Sequence, residues 1–409
     1  WGARDNLGAK LLAAAEKLEA KDDRTFTLDF KKPFGMVLDA FSKPSSIPLF
    51  VMPEKVAQTD PFKQITDMTG SGPYMFAADR YRPGEKVVYL KNPYYVPRNE
   101  PADGTAGGKH VYVDELDWVI LRDAQTVANA IEKGEVDVVE MVPNEQYSVL
   151  KKNPDIQLLN QTGKQSAMLH LNHAIPPFNN PKIAQAALMA INQAALQRAQ
   201  IVHKELWNTC TSIYPCGSLY ASDKTDYFTG KPQFKRAQEL LKEAGYDGTP
   251  VVLMLPADMP SLNKYPPVMA ELLRRAGFKV DLQSMDWATL VTRRTKSSPV
   301  SEGGWNGFIT FWNEADTFNP LFFAPLTGSG LKGWFGWTDD PKLEALKDEF
   351  VGTSDLAKRK ELAEGIQLRV MDSGVYGMLG EAKPIIALRK NISGLVEAPI
   401  SVFWGLKKD

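Results

Sequence analysis

Trp305-Asn306-Gly307-Phe308-Ile309-Thr310-Phe311-Trp312-Asn313-Glu314-Ala315-Asp316-Thr317-Phe318-Asn319-Pro320 is the stretch from which the fold of this chain is read. Phe308 to Trp312 combines aromatic and β-branched side chains, so it is expected to form a strand. The sequence then changes abruptly to Asn313, Glu314, Asp316 and Asn319, and Pro320 stops any regular element. A strand that delivers two aromatic rings and then two carboxylates into a loop can floor a binding cleft. Rings give rigid apolar area at low entropic cost, and carboxylates fix a cation or a hydroxyl. On pattern alone the same residues also read as a core strand with a solvated turn.

Working outward, the chain of 409 residues is longer than one core supports, so two or three domains are expected. With 44% hydrophobic and 24% charged residues it has the composition of a globular protein. A net charge of −1 gives no long-range field for nucleic acid or an anionic membrane, so neither partner is expected. There is no run of apolar residues long enough for a spanning helix. Trp1 to Ala20 reads as helix, with Leu7, Leu11, Leu12, Ala15 and Leu18 at helical spacing. An opening in mid-element, with no signal core, reads as a processed or truncated piece.

The two cysteines, Cys210 and Cys216, flank five residues ending in Pro215. That spacing fits neither a zinc site nor a Cys-x-x-Cys redox motif. A local disulfide is expected, which implies an oxidising compartment; two free buried thiols are the alternative.

On either side of the opening stretch the chain alternates helices and strands. Thr25 to Phe30 has period two, and Gly70-Ser71-Gly72-Pro73-Tyr74 makes a turn that feeds a strand. Strands are expected at 86–91, 111–121, 136–141 and 167–172, with helices at 124–133, closed by Gly134, and 182–199. One phrase then occurs twice: an amphipathic helix ending at Gly245, then strand 251–255, and another ending at Gly277, then strand 279–283. These read as βα units of a mixed sheet to which strand 308–312 belongs. Helices at 341–351 and 356–371 follow, then strands near 375–378, 385–388 and 402–406.

The order of these phrases resembles a known family. Gly70-Ser71-Gly72-Pro73-Tyr74, then Lys91-Asn92-Pro93-Tyr94-Tyr95, is similar to phrases of the family 5 solute-binding proteins, the peptide, nickel and oligosaccharide receptors of ABC importers. The likeness continues through Val127 to Val139, Leu171-Asn172, Pro176 to Ile183, Ala237 to Tyr246 and the aromatic strand. It implies an α/β, two-lobed, type II clamshell of the cluster C kind with its N-terminal portion missing, hinged to close over its ligand. On that map residues 1–69 are the end of an extra subdomain of lobe one, 70–163 lobe one, 164–376 lobe two and 377–409 the return to lobe one.

Peptide-binding members carry a Trp-Thr-x-Asp phrase whose Asp pairs with the ligand ammonium. Here the corresponding stretch is Phe311-Trp312-Asn313-Glu314-Ala315-Asp316, with no Asp in register. The expected ligand-binding set is therefore Phe311, Trp312, Asn313, Glu314, Asp316 and Asn319, with Glu314 or Asp316 as the anchor. The implied solute is a peptide, an opine-like compound or an oligosaccharide, and the implied partners are ABC permease subunits.

For catalysis, His110, His170, His173 and His203 are scattered and stand in no nucleophile or metal pattern. His170 and His173 lie three apart at a strand end and read as structural. Glu314 and Asp316 are too close in sequence to flank a glycosidic bond. The sequence is thus read as a monomeric periplasmic or surface-tethered solute receptor without catalytic residue, cofactor or metal. A secreted hydrolase of sugars or peptides is the alternative.

Overall fold

The opening stretch forms strand Gly307–Asn313 in the computed structural model, which describes residues 2, 5–44, 47–61, 63–160 and 163–409. The strand is third in a six-stranded sheet of order Val280–Met285, Val251–Pro256, Gly307–Asn313, Gln165–Leu171, Tyr376–Ala382, Trp207–Asn208. The first three strands run parallel and the remaining pairings are antiparallel, so the sheet is mixed as expected. Its interior strands are buried almost throughout, because helices Gln193–Gln200, Tyr265–Arg275 and Leu356–Ser373 pack on them. Both repeated phrases form helices, Phe234–Glu243 and Tyr265–Arg275, followed by left-handed Gly245 and Gly277.

The chain separates into two compact units, one of Ser46–Gly163 with Lys383–Asp409, the other of Gly2–Ser45 with Lys164–Ala382. The large sheet belongs to the second unit. In the first, a three-stranded antiparallel sheet joins Tyr74–Phe76, Lys86–Lys91 and Glu115–Val119. The Gly-Ser-Gly-Pro-Tyr and Asn-Pro phrases are stapled there: Asn92 Nδ2 donates to Gly72 O at 2.9 Å, and its backbone N–H to Pro73 O at 2.9 Å. The returning strand Ile386–Arg389 inserts between Val138–Val139 and Ile156–Leu159. Helix Ala124–Lys133 ends at Gly134 with φ +76°, a left-handed turn that disfavours any side chain, and a Cβ there would crowd the Arg389 guanidinium at 3.1 Å.

The structure corrects three expectations. The helix expected over 1–20 runs only from Asn6 to Ala14, capped by Asp5, and Ala15–Asp22 instead pairs with Thr25–Phe30 as a hairpin. Leu7, Leu11 and Ala14 form the buried helical stripe, while Leu18 is 58% exposed on the hairpin. The helix expected over 182–199 is two, Pro181–Met189 and Gln193–Gln200, because the Asn192 side chain accepts from Ala195 N–H at 3.1 Å and starts a new helix. Residues 402–406 form no strand; Val402 and Leu406 are buried, and Phe403 O accepts from the Tyr74 hydroxyl at 3.1 Å. Residues 5–44 pack within the second unit. Lys10 pairs with Asp348 at 2.6 Å, Gly35 N–H donates to Val351 O at 2.9 Å, and Arg359 Nη2 donates to Gly35 O at 2.7 Å.

Candidate functional site

Alternation along Gly307–Asn313 puts Phe308, Thr310 and Trp312 on one face of the sheet and Ile309 and Phe311 on the other. His170 lies directly across from Phe308 on one side and Tyr376 on the other. The His170 ring stacks on Phe308 at 4.9 Å between centroids. Trp312 Nε1–H donates to His170 Nε2 at 3.3 Å, which requires that nitrogen to be unprotonated. Burial, with Arg294 a lesser contributor, lowers the His170 pKa to about 3, so the imidazole is neutral and the acceptor is maintained. His173 is held by Val375 O, 3.3 Å from its Nε2.

A second layer of rings lies on this face. Phe323 meets Trp312 edge-on at 5.0 Å, and Trp334 packs against His170 at 5.0 Å and Trp312 at 5.6 Å. Phe335 adjoins Trp334 at 4.8 Å. Trp305, fully buried, wedges against Phe308 at 5.0 Å and donates its indole N–H to Arg294 O at 3.1 Å. Trp287, Arg294, Trp312, Trp334 and Phe335 are all half-buried, so an aromatic shelf reaches the surface of the second unit.

The expected site residues divide. Trp312 is part of the shelf, while Phe311 projects from the opposite face of the strand. Asn313 Oδ1 accepts from Gln165 Nε2 at 3.1 Å. Glu314 is engaged by the backbone: its carboxylate accepts from Lys164 N–H at 2.9 Å, and its own N–H donates to Lys164 O at 2.8 Å. Asp316 is 4% exposed in the single helical turn Glu314–Thr317, and Asn319, 1% exposed, accepts from Leu321 N–H at 2.9 Å. The acidic loop is thus folded into the protein around Trp312.

Sequence reasoning missed Trp287, Arg294, Trp334 and Phe335. Trp334-Phe335-Gly336-Trp337 was the available signal, since three large aromatics within four residues exceed what a surface loop needs.

Cys210 and Cys216 are bonded, as expected, with Cα atoms 5.8 Å apart. Cys216 N–H donates to Glu381 Oε1 at 2.7 Å, and Lys164 Nζ lies 3.5 Å from Glu381 Oε2 while donating to Cys216 O. Burial raises the Glu381 pKa, and the Cys216 and Lys164 contacts oppose that shift only in part. Cys210, Cys216 and Glu381 come close enough together to suggest a metal cluster, but both sulfurs are taken up by the disulfide.

Residues 3–334 match the bacterial extracellular solute-binding proteins, family 5 (middle region). The chain is 34% identical to a probable peptide ABC transporter periplasmic-binding protein of Sinorhizobium fredii, over all of this chain and 77% of that protein. Two solved structures share the fold. A periplasmic binding protein of Helicobacter pylori in complex with the peptide STSA aligns with a TM-score of 0.78 at 18% identity, over 100% of this chain and 76% of that one. The agropinic acid complex of AgaA from A. tumefaciens R10 aligns with a TM-score of 0.78 at 22% identity, over 99% of this chain and 80% of that one.

Proposed function

The chain belongs to the family 5 extracellular solute-binding proteins and has their two-lobed α/β fold, and from that premise we propose that it is a periplasmic receptor that binds a peptide-like or opine-like solute and delivers it to an ABC permease. The observation that carries this reading is a family match spanning most of the chain, from residue 3 to residue 334. The lobes we propose are 70–163 with the returning segment from about 377, and 164–376; in support, the compact units change at Gly163/Lys164 and at Ala382/Lys383.

The ligand surface we assign is the shelf of Trp312 and Trp334. What supports it is physical. Half-buried indoles fixed by neighbouring rings present rigid area that loses little entropy on binding. Trp312 is held further by its bond to His170, which is neutral near physiological pH. The role is binding rather than turnover: Glu314 is occupied by the Lys164 backbone, and His170 is buried and too weakly basic to take a proton near neutrality. Denaturing the purified protein and identifying the released small molecules by mass spectrometry tests the reading. A peptide or opine in stoichiometric amount is expected. A released molecule of another class, such as a lipid or nucleotide, would overturn the solute assignment.

A further inference from the structure

The cysteine loop and the end of strand Tyr376–Ala382 form a cluster that solute binding does not use. One ligand atom from each of Cys210, Cys216 and Glu381 lies within 4.8 Å of the other two. Glu381 is fully buried, and its Oε1 accepts from Cys216 N–H, 165 residues away in the chain, at 2.7 Å. Among the described residues no group donates a hydrogen bond to the buried Oε2, and Lys164 Nζ stands 3.5 Å from it. A buried carboxylate oxygen without a donor, on a side chain within reach of two sulfurs, is an unused ligand atom.

The S–S bond is only one of the restraints on this loop. Gln193 clamps Cys210: its Oε1 accepts from Cys210 N–H at 2.9 Å and its Nε2 donates to Cys210 O at 2.5 Å. Cys216 is held by Glu381 through its N–H and by Lys164 through its carbonyl. Both ends of the loop therefore stay in place when the bond opens. The two sulfurs differ in access. Cys210 is 2% exposed, whereas Cys216 is half-buried and lines a cavity of about 530 Å³ with Ser212, Tyr220, Glu364 and the exposed Lys360. A thiolate arriving from outside meets the Cys216 sulfur and expels Cys210.

We infer that Cys210, Cys216 and Glu381 form a thiol-gated site for a divalent, thiophilic cation of the zinc and cadmium class, shut as the disulfide and opened by a dithiol reductant. Two cysteines alone are too few for such an ion, and the fold adds the third ligand from a distant strand. Two thiolates and a carboxylate suit zinc and softer divalent ions, with the fourth position left to water from the cavity. Charge balances as well: two thiolates and the Glu381 carboxylate are cancelled by the Lys164 ammonium and the cation, which lowers the cost of burying them. In the opening step one donor thiolate bonds to the Cys216 sulfur while the S–S bond breaks and Cys210 leaves as a thiolate that takes a proton. The donor's second thiol then displaces Cys216, so the donor departs as its own disulfide and two electrons and two protons pass to the chain. The cation displaces both thiol protons to solvent as it binds.

The test uses the whole chain, stripped with chelator and treated anaerobically with a dithiol, which is then removed without denaturant. Cadmium uptake is read by dialysis with elemental analysis and by sulfur-to-cadmium charge-transfer absorption. The reduced parent should take up about one cadmium per chain and show that absorption, while the untreated disulfide form shows neither. Reduced Glu381→Gln keeps both thiols and should bind cadmium about tenfold or more weakly than the reduced parent. Circular dichroism of each reduced form before metal is added reports folding. Equal uptake by the reduced and disulfide forms overturns the site, and equal affinity in Glu381→Gln removes Glu381 from it and overturns it as assigned. A disulfide that the dithiol does not open under native conditions, or a native spectrum lost on reduction, also overturns it, because the site requires an accessible Cys216 and a loop held by Gln193, Glu381 and Lys164.

Discussion

Replacing His170 by Gln should flatten the acid dependence of stability. His170 has an ordinary pKa of 6.5 when the chain is unfolded and one of about 3 in the folded protein. Between those values the unfolded chain binds a proton that the folded chain refuses. The stability this group contributes is therefore present in full above about pH 6.5 and is lost as the pH falls toward about 3. At about pH 4 the unfolded imidazole is almost wholly protonated and the native one about a tenth so, giving a loss of about 3 kcal/mol relative to about pH 7. Gln keeps a carbonyl that can accept from Trp312 Nε1–H and removes the titration. Urea unfolding followed by tryptophan fluorescence at the two pH values, in parent and variant, isolates the term, because every other titrating group is common to both. The parent should lose about 3 kcal/mol more than His170→Gln on acidification. Equal losses would mean that His170 titrates normally, which refutes the sealed, neutral imidazole beneath the aromatic shelf.

Other outcomes follow from the same packing. Denaturant with a thiol reagent should reveal no free thiol, and Cys210→Ser with Cys216→Ser should cost about 2 kcal/mol, the chain-entropy value for so short a loop, read by urea titration. Glu381→Gln should stabilise the protein near neutral pH, with the gain shrinking as the pH falls from the raised carboxyl value toward the ordinary 4.5 and gone below it, since a carboxyl with a raised pKa penalises the fold only where it must ionise; thermal melts across pH will check this. Trp312→Ala should weaken solute binding about tenfold in calorimetry through lost stacking area. Glu314→Gln, by contrast, should lower the melting temperature with little effect on affinity, because its carboxylate serves Lys164 N–H.

What could be read in the sequence was what short-range pattern encodes. The central strand, both helix–Gly–strand phrases and the disulfide depend on residues a few positions apart, and each formed as expected. The expectations that failed depended on a choice between local solutions. Leu18 fits a helical stripe by spacing, yet 15–22 pairs with 25–30 as a hairpin, and that pairing depends on a partner outside the helical window. Asn192 looks innocuous inside a helical run until its side chain caps the next helix. At the site, Trp312 was legible because it ends an aromatic strand. Arg294 was not, because two arginines at a helix end read as favourable dipole partners. Only the tertiary arrangement, which brings residues 287, 308, 334 and 335 around one guanidinium, separates Arg294 from Arg293. Glu314, offered by the sequence as a candidate anchor, has a partner the sequence could not show, the Lys164 N–H 150 residues away.

The most direct test of the central claim is equilibrium dialysis of the protein against a mixed panel of short peptides and opine-type amino-acid conjugates, with mass spectrometry of both chambers over time. The account predicts that one chemical class accumulates on the protein side up to about one molecule per chain and is recovered there with its mass unchanged. Steady loss of a panel member with appearance of its hydrolysis products in both chambers would contradict it.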